Sequence, residues 1–476
     1  MSAQSLAACG ERPGGISHRQ PSAPGRWEPP AVSRRPAGVV GIALAGGLGL
    51  RARPLTLAAQ GYPRSKATVS VLGRPLIDWQ VRLLREQGID EFYVVAKGRA
   101  NRCQIRQVLA YGESHQVSVR YSRARHDRGN VGSGEATLRN LEHWDLHGVA
   151  LVFPTDSLFD FDLTAMIEAH RASGAMVTMA SVRREAEEVA GRYGVLVADA
   201  QGWGHRFVEK PPLEEALSLA GRRGEMFTNA GMYLIDCDLL RTLVADDALA
   251  GLIEYRLDWG SDLLPWLVER GFPVRHHPIA RFGDLGSPQG YLDTMRDALG
   301  GGYPRLSTVL AGTGGPVRIE ESSLARRDPI TGRTLAEKIR SGLVRIGPNV
   351  RIGREVEIGP GARLRDADIA DEVDLGEGCV LSGVGCQDGA MVGPYARLSD
   401  TYLGTMAAVE STAEHPVVTG GYTALGDEVT VGPGVRLTGV TVHPGLCIPP
   451  FARIAPGADL TSAADLPPAT PCPGGY

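Results

Sequence analysis

The chain has 476 residues, 43% of them hydrophobic, and a formal net charge of −4, enough for two or three domains with apolar cores. That balance argues against a nucleic-acid binder, and no apolar run approaches the roughly 18 to 20 residues of a membrane span. The N-terminus lacks the apolar core of a secretory signal, and seven scattered cysteines without a C-x-x-C pair fit reduced thiols in a cytoplasmic protein better than disulfides or zinc.

Residues 1–37 are rich in Pro, Arg, Ser and Gly with no apolar period, the composition of a disordered tail. Val39 to Leu44 then reads as a buried parallel strand that breaks abruptly into Gly46, Gly47 and Gly49, followed by Arg51, Arg53 and Ser65-Lys66. Glycines let backbone amides approach a polyphosphate, and the cations answer its charge. Gly47, Gly49 and Ala52 also satisfy the loose dinucleotide pattern, but Pro54 interrupts the helix that pattern needs and no acid stands about 20 residues on. The lysine-hydroxyl ending of a P-loop is absent as well. Only Lys66, Lys97, Lys210 and Lys338 break the dominance of arginine, so a retained lysine marks a place for a compact point charge.

The stretch Ala45-Gly46-Gly47-x-Gly49-x-Arg51-x-Arg53-Pro54-Leu55-Thr56 with Lys66 resembles the sugar-1-phosphate nucleotidyltransferases, or nucleotide-sugar pyrophosphorylases. The resemblance implies an enzyme that joins a nucleoside triphosphate to a sugar 1-phosphate and releases pyrophosphate. It puts Ala45, Gly46, Gly47 and Gly49 on the nucleotide and gives Arg51 and Lys66 catalytic roles. Leu50 stands where the family usually has threonine.

From 38 to 300 strand patterns alternate with helical ones, predicting a Rossmann-like α/β catalytic domain with a mostly parallel sheet. Leu76, Ile77, Val81 and Leu84 recur at helical spacing before Gly88, and Phe92 to Ala96 reads as a strand. Val117 to Tyr121, a helix carrying Leu138, Leu141 and Trp144, and the strand Val149 to Phe153 form the next unit. That strand runs into Pro154-Thr155-Asp156, so Asp156 and the glycine loop are expected on one rim, beyond the carboxyl ends of parallel strands.

The resemblance makes Asp156 a ligand of a divalent metal, Mg²⁺, with Thr155 where the family commonly has glycine. The segment 129–136, with Gly132 and Ser133, looks like the family's nucleobase element. Tyr193-Gly194-Val195, Glu209-Lys210-Pro211 and Thr228-Asn229-Ala230-Gly231-Met232-Tyr233 are similar to its sugar-phosphate site, which implies Gly194, Glu209, Lys210 and Asn229 as contacts. A carboxylate accepts from sugar hydroxyls and a lysine answers a phosphate. A helix from Ser261 to Arg270 and a strand around Val274 to Ile279 precede Phe282-Gly283-Asp284-Leu285-Gly286-Ser287-Pro288, which implies Asp284 as the second metal ligand. His276 and His277 are neighbours on a strand and point to opposite faces.

Residues 301–340 read as a connector with at most one helix. After it, Val344, Val350 and Val356 fall on one six-residue register and Ile346, Ile352, Ile358 and Leu364 on another, predicting a parallel β-helix over 341–462 and a tail over 463–476. This resembles the left-handed hexapeptide-repeat domains that follow such catalytic domains and implies homo-oligomerisation. Residues 406–422 break the register and are expected to protrude. Three other readings remain: an acyltransferase using His415 or His443, neither with an identifiable carboxylate partner; a non-catalytic nucleotide-sugar-binding regulator; and transfer to a cyclitol phosphate.

Overall fold

Val40–Ala45 (β1) is apolar along its whole length because both of its faces are covered. It pairs in parallel with Glu91–Ala96 (β2) on one side and Val149–Pro154 (β4) on the other, and Ser118–Tyr121 (β3) adds in parallel outside β2. Gly41 is required by packing, since a Cβ there would lie 2.7 Å from the Phe92 ring. The computed structural model describes residues 38–468 except 48, 124, 126–131, 221–223, 254, 310–316 and 330. The N-terminal tail, residues 129–131, residues 312–315 and the last eight residues of the C-terminal tail lie outside the described residues.

Val177–Glu185 (β5), Val195–Ala198 (β6), Gly204–Val208 (β7), Glu225–Asp236 (β8) and Val274–Pro278 (β9) complete a nine-stranded sheet ordered β7-β6-β8-β4-β1-β2-β3, with β5 bridging β8 and β9. Only the half around β1 is all parallel; β8 runs antiparallel to both β4 and β5. Helices Leu76–Arg85 (α1), Arg99–Leu109 (α2), Ser133–His143 (α3), Leu163–Ser173 (α4) and Pro288–Leu299 (α5) lie among the connections. One apolar cluster gathers Ile42, Leu141, Val152 and Leu264 against one face, and another gathers Ala43, Ile77, Phe153 and Met166 against the other. The helix expected over 261–270 opens as a π-turn at Trp259–Leu263 before the α-helix Leu264–Glu269.

The hexapeptide registers form a parallel β-helix whose sheets contain only parallel pairs. Side chains one coil apart are separated by 17 residues, as in the Asn349–Asp366 and Arg365–Ser382 bonds. Val350, Ile358, Leu364, Leu381 and Val392 fill the interior at 3% exposure or less. Two expectations change. The connector contains three short helices, Pro304–Val309, Glu321–Ala325 and Leu335–Arg340, and its strand Val317–Ile319 pairs with Val350–Ile352 as part of the coil stack. The protrusion expected over 406–422 is smaller: Ala408–Val409 and Val418–Gly420 keep their places in the coils. The excess is taken up between them, where the step from Thr405 to Asp427 is 22 residues.

The two parts meet over a shared apolar layer that includes Leu55, Trp79, Tyr291 and Tyr402. The Tyr291 and Tyr402 rings meet edge to face at 5.2 Å. Tyr291 Oη donates to Ser70 O at 3.0 Å and accepts from Gln387 Nε2 at 3.0 Å. Among the described residues no helix is long and apolar enough to cross a membrane.

Candidate active site

At the carboxyl ends of β1 and β4 lies a cavity of about 580 Å³, where parallel sheets offer a crevice for ligands. Ala45, Gly46, Gly47, Arg51, Lys66, Gly132, Ser133, Asp156, Gly194, Glu209, Lys210, Asn229 and Asp284 all border it. Gly49 does not border it and instead shapes the loop. It adopts a left-handed φ of 67°, its carbonyl accepts from Thr56 Oγ1 at 2.7 Å, and a Cβ on it would meet Thr56 Cγ2 at 2.8 Å.

At the glycine-loop end, Lys66 Nζ lies 2.7 Å from Asp156 Oδ2. A two-stranded ribbon brings the second carboxylate alongside: Ser157–Asp160 pairs antiparallel with Arg281–Asp284, setting Asp284 opposite Ser157. Leu285 N donates to Asp156 O at 3.0 Å, and Gly286 N donates to Asp284 Oδ1 at 2.8 Å. Burial and the charge of Asp156 push the Asp284 carboxyl above its usual range. Gln80 of α1, fully buried, donates from Nε2 to Pro154 O at 2.8 Å and Ser157 O at 2.6 Å, and so pins the turn that carries Asp156. Thr155 turns its hydroxyl onto Leu44 O at 3.1 Å, which joins the ends of β1 and β4.

The opposite end is built from β6, β7 and β8. Glu209 Oε1 is 3.2 Å from Lys210 Nζ. Its carboxylate sits between two glycines: a Cβ at Gly194 would lie 2.5 Å from Glu209 Oε2, and one at Gly260 2.9 Å from it. Lys210 holds a left-handed φ of 48°, a strained conformation for a lysine. The β5–β8 register shifts between Asn229 and Tyr233, and this bulge turns Asn229 toward the cavity. Asn229 Nδ2 donates to Tyr233 Oη at 2.9 Å, and its Oδ1 accepts from Gly231 N at 2.8 Å.

Gly132 and Ser133 border the cavity, but the polar groups of Ser133 are already engaged. Ser133 N donates to Asp258 Oδ1 at 2.9 Å, and its hydroxyl accepts from Trp259 N at 3.0 Å. Gly134 N and Glu135 N both donate to Leu257 O. The start of α3 is thus capped by a distant loop, and Trp259 stacks on Tyr233 at 4.4 Å.

Sequence reasoning missed Gln80, Lys97, Asn101, Arg192, Asp258 and Trp259. Lys97 could have been found, since it is one of the four lysines and follows β2 directly at the ligand rim. Asn101 bonds Ala45 O and Lys97 O from α2; no local motif marks it. In the β-helix, His443 proves to have an acidic neighbour, with Nε2 3.7 Å from Asp459 Oδ1, while His415 lies edge-on to Phe451 at 4.9 Å.

A family model described as nucleotidyl transferase matches residues 40–300. The chain is 27% identical over 402 residues to a UTP–glucose-1-phosphate uridylyltransferase of Synechocystis sp., an alignment covering 78% of this chain and 96% of that protein. It is 25% identical over 375 residues to a glucose-1-phosphate adenylyltransferase of Arthrobacter sp., covering 72% of this chain and 78% of the relative. It is also 27% identical over 338 residues to the bifunctional protein GlmU of Anaeromyxobacter dehalogenans, covering 70% and 65%. The match to the family model takes in more than half of the chain, and it includes both ends of the cavity: the protein belongs to the nucleotidyl transferase family.

Proposed function

We propose that the protein transfers a nucleotidyl group from a nucleoside triphosphate to a sugar 1-phosphate, giving a nucleotide sugar and pyrophosphate. The observation that carries this reading is one cavity with a glycine loop, Lys66 and two carboxylates at one end and Glu209, Lys210 and Asn229 at the other. The first end suits a triphosphate and the second a sugar bearing a phosphate. The uridylyl and adenylyl relatives support a hexose phosphate of the glucose type as acceptor.

An oxygen of the sugar phosphate attacks the α-phosphorus in line. The new P–O bond forms as the bond to the bridging oxygen breaks, and pyrophosphate leaves with the electron pair. The nucleophile is already an anion, so no side chain has to remove a proton, and the chain's work is positioning and charge neutralisation. Amides of Gly46 and Gly47 hold the triphosphate, and Arg51 and Lys66 take up charge on the departing pyrophosphate. Glu209 and Asn229 orient the sugar while Lys210 neutralises its phosphate.

Asp156 and Asp284 fit a divalent cation such as Mg²⁺. They are hard oxygen donors, and burial with mutual repulsion raises Asp284 even though Lys66 is near. Among the described residues no third His, Cys, Asp or Glu completes a cluster, which suits an ion that keeps waters and substrate oxygens in its shell. When bound, the ion supplies charge neutralisation at phosphate oxygens.

The reading extends to domain roles, with 38–300 as the catalytic unit and 341–462 as the hexapeptide domain that mediates self-association. One β-helix row runs Arg345, Arg363, Val380, Arg397, Val418 and Arg436, and Arg453 bridges to it. Its five arginines are exposed, so a two-fold contact centred on that row would bring like charges together. Light scattering checks the oligomer. Cys103, Cys237, Cys379, Cys386 and Cys447 are free thiols, in keeping with a cytoplasmic setting. Formation of nucleotide sugar from a triphosphate and glucose 1-phosphate, with release of pyrophosphate, tests the reaction itself.

A further inference from the structure

The phosphate end of the cavity is tied to the β-helix through one arginine. Arg64 lies two residues before Lys66, and its guanidinium forms an ion pair with Asp427 of the β-helix. Arg64 Nη1 also donates to Leu55 O at 3.3 Å, Arg64 N donates to Thr56 O at 2.8 Å, and Thr56 Oγ1 holds Gly49 O at 2.7 Å. The glycine loop and the lysine segment therefore converge on one residue, Arg64, through its backbone amide and its guanidinium. The carboxylate that answers it belongs to the other domain.

Asp427 is only 4% exposed, and its Oδ1 accepts from Thr405 N at 3.1 Å. It comes from the coil enlarged by the extra residues, whereas a second carboxylate facing the catalytic domain, Asp368, comes from a regular coil. Asp368 Oδ1 accepts from Arg351 Nη1 of the adjacent coil at 2.7 Å, and its Oδ2 accepts from Leu72 N at 2.6 Å. Both carboxylates are buried and both clamp the 64–73 segment, but only Asp427 leads back to Gly49 and Lys66. Losing one partner of a buried pair leaves a charge uncompensated, so the remaining Arg64 would pull away from the loop it now holds.

We propose that Asp427 is a positioning residue for the phosphate site, holding the glycine loop and Lys66 in place through Arg64, so that the β-helix completes the triphosphate site. This rests on the nucleotidyl-transfer reading of the cavity.

The test compares Asp427→Asn with Asp368→Asn in the full chain, using Mg²⁺-pyrophosphate binding by calorimetry as a base-independent probe and thermal unfolding as the control. Both variants are expected to lose stability. Asp427→Asn alone should weaken pyrophosphate binding by about 10- to 100-fold, the scale of a small misplacement of binding groups, and Asp427→Glu should recover part of it. Arg64→Lys, which keeps a cation opposite Asp427 but loosens the Leu55 contact, gives a second reading if Asp427→Asn does not fold, with weakened binding again expected. Unchanged pyrophosphate affinity in folded Asp427→Asn or Arg64→Lys, or equal losses in the two aspartate variants, would overturn the positioning role. A wild-type chain that makes nucleotide sugar while Asp427→Asn binds pyrophosphate normally would overturn it alone. A wild-type chain that neither turns over nor binds pyrophosphate would overturn the nucleotidyl-transfer reading as well.

Discussion

Lys66 Nζ stands 2.7 Å from Asp156 Oδ2, a cation from the glycine-loop side bonded to a carboxylate from the end of β4. The pair joins the segment that follows the first parallel strand to the turn after the fourth. Asp284 shares the same rim from across the ribbon, so three charges that are far apart in the chain face one small volume.

Asp156→Asn keeps the shape of the side chain and removes its charge. Turnover is expected to fall roughly 10²-fold or more, the scale of losing one group that stabilises a transition state, with the melting temperature nearly unchanged. Initial rates of pyrophosphate release on folded variant check this, and full activity would remove Asp156 from the mechanism.

Gly194→Ala probes the far end. The added methyl would crowd Glu209 Oε2 and the Phe207 ring at 2.5 Å each, forcing the carboxylate from its place. KM for the sugar phosphate is expected to rise about 10-fold or more, with KM for the triphosphate much less affected. Equal changes in both would show that the two ends are not separate.

Lys210→Gly separates strain from function. Glycine adopts the left-handed backbone freely, so stability should hold or rise by about 1 kcal/mol. Activity should fall by about 10²-fold with the loss of the ammonium. Calorimetric melting alongside steady-state rates decides it, and a variant with lower stability and normal rates would contradict both halves.

Acid should destabilise the chain in a defined window. Burial, aided by the Arg275 charge, holds the His276 and His277 imidazoles below their usual range against the weaker opposing pull of Asp199 and Asp162. Burial does the same to His443. The unfolded chain takes up protons around pH 6.5 that the native fold resists, so stability is fully present above that pH and declines as pH falls through it. Melting temperatures between about pH 7.5 and 5.5 should slope downward with acid, and His276→Gln should flatten the slope. An unaltered slope would place the linkage elsewhere.

Much of this architecture is written locally. The burst of glycines after an apolar strand, the strand that runs into Asp156, and the six-residue aliphatic registers each carry a period or a break that a reader can see. Local signal fades where distant side chains cooperate. Gln80 pins the Asp156 turn from α1, and Asp258 with Leu257 caps α3 from more than a hundred residues away. Val317–Ile319 joins the coil stack ahead of any clear hexapeptide rhythm because one three-residue strand is too short to show a period. The 406–422 segment looked irregular because its extra residues shift the register, although Val409 and Val418 still pair with the coils beside them. Arg64 and Asp427 are 363 residues apart, and nothing near either one announces the other.

The central claim is most directly tested by incubating the full chain with Mg²⁺ and each common nucleoside triphosphate against glucose, mannose, galactose and N-acetylglucosamine 1-phosphates, and following pyrophosphate release. The account predicts one dominant productive pair, a nucleotide-sugar product, and regeneration of the triphosphate when that product is supplied with pyrophosphate. Folded protein that binds nucleotide sugar but turns over in neither direction would contradict it and point to a regulatory binding protein.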